Sequence, residues 1–474
     1  MLSYNFKYEL KLLLRSRWIQ LLSLILVLLF GFAALNGREK VVKRELDIEA
    51  ARQEVRESDE MMLKLLDSVE RELEVSASPW TIPTNPMAVG NYHPRVAAMD
   101  PQPMAFIATG QADLFTHYVK PTVAGDDFAL NFTEMTSPVQ LLFGSFDLAF
   151  VIVYLLPLII IAFSYNVLSA EKERGTLRLL AAQPIGIPQW VLQKLGLRFF
   201  WLTVVVLGCL LVALLAIGIS PLSLAGPLLL AGLILVYMLF WFALAFLVNI
   251  RVGSSAKNAV ALLGLWVGFV LLVPSVLNQL GSTLYPIPSR TLMINEMRSL
   301  KAEMTEKQDE ILDNFLRDHP EYALNDTAQS RGFYHRYMAS QRLLKEELAP
   351  LVDAYEEQLQ LQQEWIGRFK WISPAIAIQE SLNRLAGNAT DDYMRYRAQV
   401  VVFAGKWRDH LMPLLYNNRD FTSEDYTDLP QFAYVPNRSS SSAAVLSVLG
   451  LSIALILGGV LGYRQGSQKD TVLG

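Results

Sequence analysis

Five charged side chains fall within Ser169–Ile185, SAEKERGTLRLLAAQPI, a segment lodged between two long apolar runs. A charge at the centre of a membrane helix costs about 2.5–3.5 kcal/mol on insertion scales, so this segment has to sit outside the hydrocarbon. Glu171, Lys172, Glu173 and Arg174 read as the start of a short interfacial helix. Gly175 permits close approach of another backbone, Leu177, Leu179 and Leu180 give an apolar face, and Pro184 stops the helix before Pro188. A short amphipathic helix of that kind fits a groove on a partner and passes on its rigid-body motion. An ordinary polar loop accounts for neither the apolar face nor the Gly-Thr-Leu behind paired acids.

Other chemistries lack their residues. ATP hydrolysis needs a Gly-rich loop whose amides cradle phosphate, with Lys and a hydroxyl behind it. The nearest fragment, Gly405-Lys406-Trp407, has neither the loop nor the hydroxyl, so this chain is not expected to be an enzyme. His93, His117, His319, His335 and His410 lie outside the apolar runs and form no HExxH, which argues against an intramembrane zinc protease. The apolar runs carry no acid–base chain of the kind proton-coupled carriers use, and Asp147 is expected at the lip of one, within reach of water. The single Cys209 rules out an intrachain disulfide and reads as a small hydrophobe. No metal, nucleotide or nucleic-acid site is expected.

The elements that position the charged segment follow from hydropathy. The 474 residues are 52% hydrophobic with a mean hydropathy of +0.29, and the apolar excess is gathered in six runs. About 20 apolar residues cross a bilayer core, and the runs are Trp18–Leu35, Leu148–Leu168, Phe199–Ile219, Leu222–Val248, Ala259–Leu277 and Ala443–Gly462. Two long polar insertions, 36–147 and 280–442, follow the first and fifth. The first run is longer than a usual signal-peptide core and no small-residue cleavage site follows it, so it reads as an uncleaved signal anchor.

Charge sets the expected orientation. Segments 1–17, 169–198, 249–257 and 463–474 hold 13 Lys and Arg against 4 Asp and Glu, whereas the whole chain has a formal charge of -4. By the positive-inside rule these segments and both termini are cytoplasmic, and the acidic insertions lie outside, periplasmic in a Gram-negative inner membrane. Lys7, Lys11 and Arg15 recur every four residues, with Phe6, Leu10, Leu13 and Leu14 set away from them. Segment 1–17 is thus either a cytoplasmic interfacial helix or an extension of the first span into water.

The first insertion opens with a helical stripe: Ile48, Val55, Met62 and Val69 every seven residues, with Leu66 and Leu73 beside them. It continues the first span outward. Pro79–Pro103, with six prolines, is expected to be extended or looped. In the second insertion, Met297, Leu300, Met304, Ile311 and Phe315 mark one helix ending near Asp318–Pro320. Tyr337, Leu344, Leu348, Leu351, Tyr355, Ile366 and Phe369 mark a longer one. The two read as an antiparallel hairpin, with Tyr393–Leu415 beside it and Pro430–Ser442 as a linker to the last span, 463–474 being a tail.

The row Glu171–Leu177, together with the interfacial helix and six spans, resembles type-2 ABC transporter permeases and their cytoplasmic coupling segment. The large insertions, and segments such as Tyr92-His93-Pro94, look like a subfamily with a big extracytoplasmic domain, similar to subunits found beside gliding-motility, copper-enzyme maturation and export systems. The resemblance implies an all-α polytopic membrane protein and a homo- or heterodimer of permease chains served by two cytoplasmic ABC ATPases that bind the ATP-Mg. It places the ATPase contact on Glu171, Glu173, Arg174, Gly175, Thr176, Leu177 and Leu180. Two functions are consistent with this plan: export or extraction of a substrate, or transmission of ATPase motion to a periplasmic partner with nothing crossing.

Overall fold

The computed structural model describes residues 10–11, 13–75, 81–110, 112, 116–123, 146–177, 186–219, 225–286, 290–318, 320, 333–436 and 442–472. Among the described residues the chain is almost entirely helical, with one two-stranded antiparallel ladder pairing Ala97 with Val119 and Ala98 with Tyr118. Six helical runs are long and apolar enough to cross a membrane: Arg17–Glu70, Leu148–Glu173, Ile187–Ile217, Ala225–Arg251, Ser255–Leu284 and Val445–Tyr463. The chain is a multi-pass membrane protein. These runs are called the first to sixth spans below.

The first span belongs to a single helix of 54 residues, about 80 Å at 1.5 Å per residue, against an apolar core near 30 Å. Its lower half buries Leu26, Phe30, Ala33 and Ala34 and leaves Leu24, Leu28 and Phe32 exposed. Its upper half buries one stripe, Ile48, Ala51, Met62 and Leu66. Leu73 does not join that stripe: the helix stops at Glu70 and Leu73 is exposed. At Gly37, where the halves meet, a Cβ would collide with the backbone carbonyl of Phe106, so only glycine lets the two segments touch.

The fourth span is the central post. It buries Tyr237, Trp241 and Phe246, donates from Tyr237 Oη to Val153 O at 3.0 Å, and packs along the sixth span. The third span begins at Ile187, earlier than hydropathy placed it, with Pro188 in the first turn and Trp190, Val191 and Leu195 buried. That first stretch escaped a hydropathy reading because it contains Lys194 and Arg198, both satisfied within the fold. Asp147 also differs from expectation. It caps the second span, accepting from Phe150 N and Thr109 N at 2.8 Å each, and is 5% exposed rather than open to water. Burial pushes its carboxyl above the usual range, and the amide donors oppose that.

The two insertions build one domain together. Met62 and Leu66 of the long helix, Met87 and Val89 of Pro86–Tyr92, and Trp407 and Leu411 of Thr390–Tyr416 share a core. Trp407 Nε1 donates to Gly90 O at 3.2 Å and Tyr396 Oη to Ala97 O at 2.8 Å. The proline-rich stretch is not all extended: Asn85 accepts from Met87 N, and Pro86 opens a helix where a missing N–H costs nothing. The helix expected through Met297–Phe315 is two, Arg290–Glu306 and Gln308–Asp318, broken at Lys307. Both lie against Phe333–Phe369. Pro374–Ala386 leaves this domain altogether, burying Ala377, Ile378 and Leu382 in the core of the spans.

Candidate functional site

The charged turn sits at the end of the spans far from the insertion domain, and its geometry reverses one expectation. Glu171–Arg174 do not start a helix; they finish one. Ser169–Glu173 is the last helical piece of the second span, and Gly175 ends it with φ +75. Gly175 N donates to Lys172 O at 3.1 Å and Thr176 N to Glu171 O at 3.0 Å, the paired reverse bonds of a Schellman stop. Glycine is there because L side chains rarely adopt that φ, and the space around it is open.

Acids at a helix C-terminus oppose the helix dipole, and both find compensation inside the chain. Glu171 takes Lys194 of the third span at 3.0 Å and also accepts from the Thr176 hydroxyl. Lys194 in turn lies 4.2 Å above the Trp190 ring. Glu173 accepts from Ser255 N at 2.7 Å and Ser255 Oγ at 2.9 Å. Ser255 opens the fifth-span helix, so Glu173 is a carboxylate placed on a helix N-terminus, where the dipole favours it.

Behind these pairs lies a buried amide cluster that joins three spans. Asn249, 1% exposed near the end of the fourth span, donates to Ser164 O at 2.9 Å and Ala245 O at 2.8 Å, and accepts from Leu168 N at 3.2 Å. Asn258 in the fifth span donates to Tyr165 O at 2.9 Å, and Ser169 Oγ meets Ser255 Oγ at 2.8 Å. Residues 165–168 are a non-helical break in the second span, and the amides satisfy backbone groups that the break frees. Arg198 of the third span serves Phe163 O similarly.

The sequence-derived residues therefore divide. Glu171, Glu173 and Thr176 are engaged within the chain, and Leu177 is half-buried. Lys172, Arg174 and Gly175 are exposed at the tip, and a Cβ at Gly253 would stand 3.0 Å from Lys172 Nζ. Leu179, Leu180 and Pro184 lie outside the described residues, as does Lys7, whereas Lys11 and Arg15 are exposed. Sequence reasoning missed Asn249, Asn258, Ser255, Lys194 and Arg198. Two asparagines flanking a short Gly-Ser-Ser loop were the available signal, but their partners lie more than 80 residues away. Among the described residues no group of three His, Cys, Asp or Glu is placed to hold a metal ion.

Comparison with known proteins bears on the other end of the molecule. Residues 290–435 match the family described as Domain of unknown function (DUF3526). No curated protein and no solved structure matches the chain. The DUF3526 match takes in the helices of the second insertion, from Arg290–Glu306 to Thr390–Tyr416. It leaves out the charged turn and the amide cluster.

Proposed function

We propose that this chain is the permease subunit of an ATP-driven assembly of the type-2 ABC plan. Separate cytoplasmic ATPases would hydrolyse ATP, and this chain, paired with a second copy or a paralogue, would use their motion to export a substrate or extract it from an inner membrane. The observation that carries the reading is the fastening of the 165–177 turn: Glu171 to the third span, Glu173 to the fifth, and its backbone to Asn249 of the fourth. A turn with an exposed basic tip and a base bound to three helices delivers a push to all of them. A loop with no such role has no need of that fastening.

On this reading tip and base divide the labour. Lys172, Arg174 and Gly175 contact the ATPase, while Glu171 and Glu173 hold the turn to the spans. Co-purification tests this with two variants. Arg174→Glu is expected to weaken ATPase association about tenfold or more, as loss of a central interface arginine does. Glu173→Lys is expected to leave association near normal and to abolish substrate-driven turnover. Normal association of Arg174→Glu, or full turnover of Glu173→Lys, contradicts the assignment.

One observation favours the second function, transmission without transport. The 54-residue helix runs unbroken from the first span into the core of the insertion domain, a stiff rod able to carry displacement outward. ATPase activity of the assembled complex in liposomes separates the two. Stimulation by lipids, peptides or lipoproteins supports transport; indifference to all of them supports transmission.

A further inference from the structure

Two clefts lie where the insertion domain meets the spans, and they are halves of one trough. The first, about 530 Å³, opens at membrane level between Val153 and Tyr154 of the second span and Val270 and Pro274 of the fifth. The second, about 740 Å³, lies within the insertion domain over Leu359, Met394, Val402, Phe403 and Phe432. Gln360, Gln363, Thr390 and Asp391 line both.

The membrane-level mouth has unusual walls. Val151–Leu155 and Val267–Leu272 are both π-helical, and the two stretches supply Val153, Tyr154 and Val270. Such segments in membrane helices gather at functional sites because they widen the helix and free carbonyls. Here Trp266 Nε1 donates to Tyr154 O at 3.2 Å and Ser373 Oγ donates to Phe269 O at 2.6 Å. The second bond pins the Pro374–Ala386 helix beside the opening.

Between mouth and apolar cleft runs a belt of mixed charge. Arg384 reaches Glu380 at 2.5 Å and Asp391 at 3.2 Å, and Lys370 reaches Glu380 at 3.2 Å. Among the described residues the buried Nε of Arg384 has no partner, a donor left over beside the path. Past the belt, Arg395 and Lys406 stand exposed three turns apart on one helix, with Val402, 59% exposed, between them.

We propose that this trough takes a phospholipid of the surrounding bilayer. The headgroup would sit at the Lys370–Glu380–Arg384–Asp391 belt and one acyl chain would lie in the apolar cleft. A zwitterionic headgroup suits the belt, its phosphate on Arg384 and its ammonium on Glu380. The π-helical mouth, lined by Val153, Tyr154 and Val270 of two spans, is the entrance. The proposal rests on the extraction reading and names its substrate class: a lipid drawn from the leaflet on the insertion-domain side.

The test uses the full chain in nanodiscs containing phosphatidylethanolamine with a diazirine in one acyl chain, irradiated and mapped by mass spectrometry. Adducts are expected at Met394, Val402 or Phe403 as well as on lipid-facing span residues such as Leu28 and Leu215. A carboxylate against an acyl chain is strongly unfavourable, so Val402→Glu is expected to cut cleft adducts about tenfold while span adducts persist. Because Val402 is exposed, that variant keeps the fold; Met394→Glu, about two turns earlier on the same helix, provides a second reading. Repeating the labelling with phosphatidylglycerol heads is expected to lower cleft adducts. Adducts confined to the span faces, cleft adducts indifferent to both variants, or equal labelling with both heads would overturn the proposal. No ATPase is needed, so absent cleft adducts with intact ATPase association sink the trough alone. Intact adducts with no ATPase association sink the coupling reading alone.

Discussion

Replacing Arg95 by alanine is expected to destabilise the insertion domain by about 3–5 kcal/mol, the usual loss when one member of a buried ion pair is removed. Arg95 is 4% exposed and Asp59 8% exposed, and they meet at 2.9 Å. The guanidinium is held between two rings, 5.7 Å from the centre of Trp407 and 5.4 Å from that of Tyr426, whose hydroxyl donates to the other Asp59 oxygen at 3.1 Å. One cation thus joins the long first helix, the first insertion and the C-terminal part of the second. Alanine leaves the Asp59 carboxylate buried with only Tyr426 to serve it. Arg95→Lys should recover part of the loss, because an ammonium keeps the charge without the planar stacking. Replacing both residues with apolar ones of similar volume should cost less than Arg95→Ala alone. Thermal unfolding and hydrogen exchange over 390–416 give the readout, and a change within about 0.5 kcal/mol would show the pair to be incidental.

Asn249→Leu is the second large effect expected, and it separates the base of the charged turn from its tip. Leucine fills similar space but strands the Leu168 amide and the Ser164 carbonyl, which the Asn249 side chain now serves. Each stranded buried group costs about 1–3 kcal/mol, and the loss falls on the break at 165–168. The spans should remain assembled, since their core is aliphatic and aromatic packing around Tyr237 and Trp241. Amide exchange over 165–176 should then rise by tenfold or more, about 1.4 kcal/mol per decade, and turnover with the ATPase should fall. An equally apolar change on an exposed span position, Leu211→Ala, should alter neither. Unchanged exchange in Asn249→Leu would show that the amides do not hold the turn.

How far residues alone revealed this molecule depends on the range of the interaction. The spans are legible because each is a local run of apolar side chains, and the long first helix because Ile48, Met62 and Leu66 keep one stripe buried. The charged turn was legible as a break between two apolar runs, yet its direction was not. Acids are expected at helix starts, and Glu171 and Glu173 stand at an end because Lys194 and the Ser255 amide offset the penalty. Gly175 followed by Thr176 was the overlooked cue, since a glycine behind a charged turn is a common helix stop. Ser373 caps the Pro374–Ala386 helix, accepting from Ile376 N. That the helix it opens belongs with the spans is set by packing against residues a hundred positions away, which no local pattern carries. The trough was out of reach for the same reason, because its walls come from five separate helices and the 431–433 stretch.

Sidedness of the turn is the claim on which the coupling account stands, and thiol accessibility measures it directly. In a Cys209→Ser background, Arg174→Cys and Met61→Cys give two exposed reporters at opposite ends of the molecule. With a membrane-impermeant thiol reagent added to intact spheroplasts, the account predicts labelling at position 61 and none at position 174. Inverted vesicles should give the opposite pattern, and added ATPase should protect position 174. Labelling of position 174 from outside, or no protection by ATPase in inverted vesicles, would contradict it.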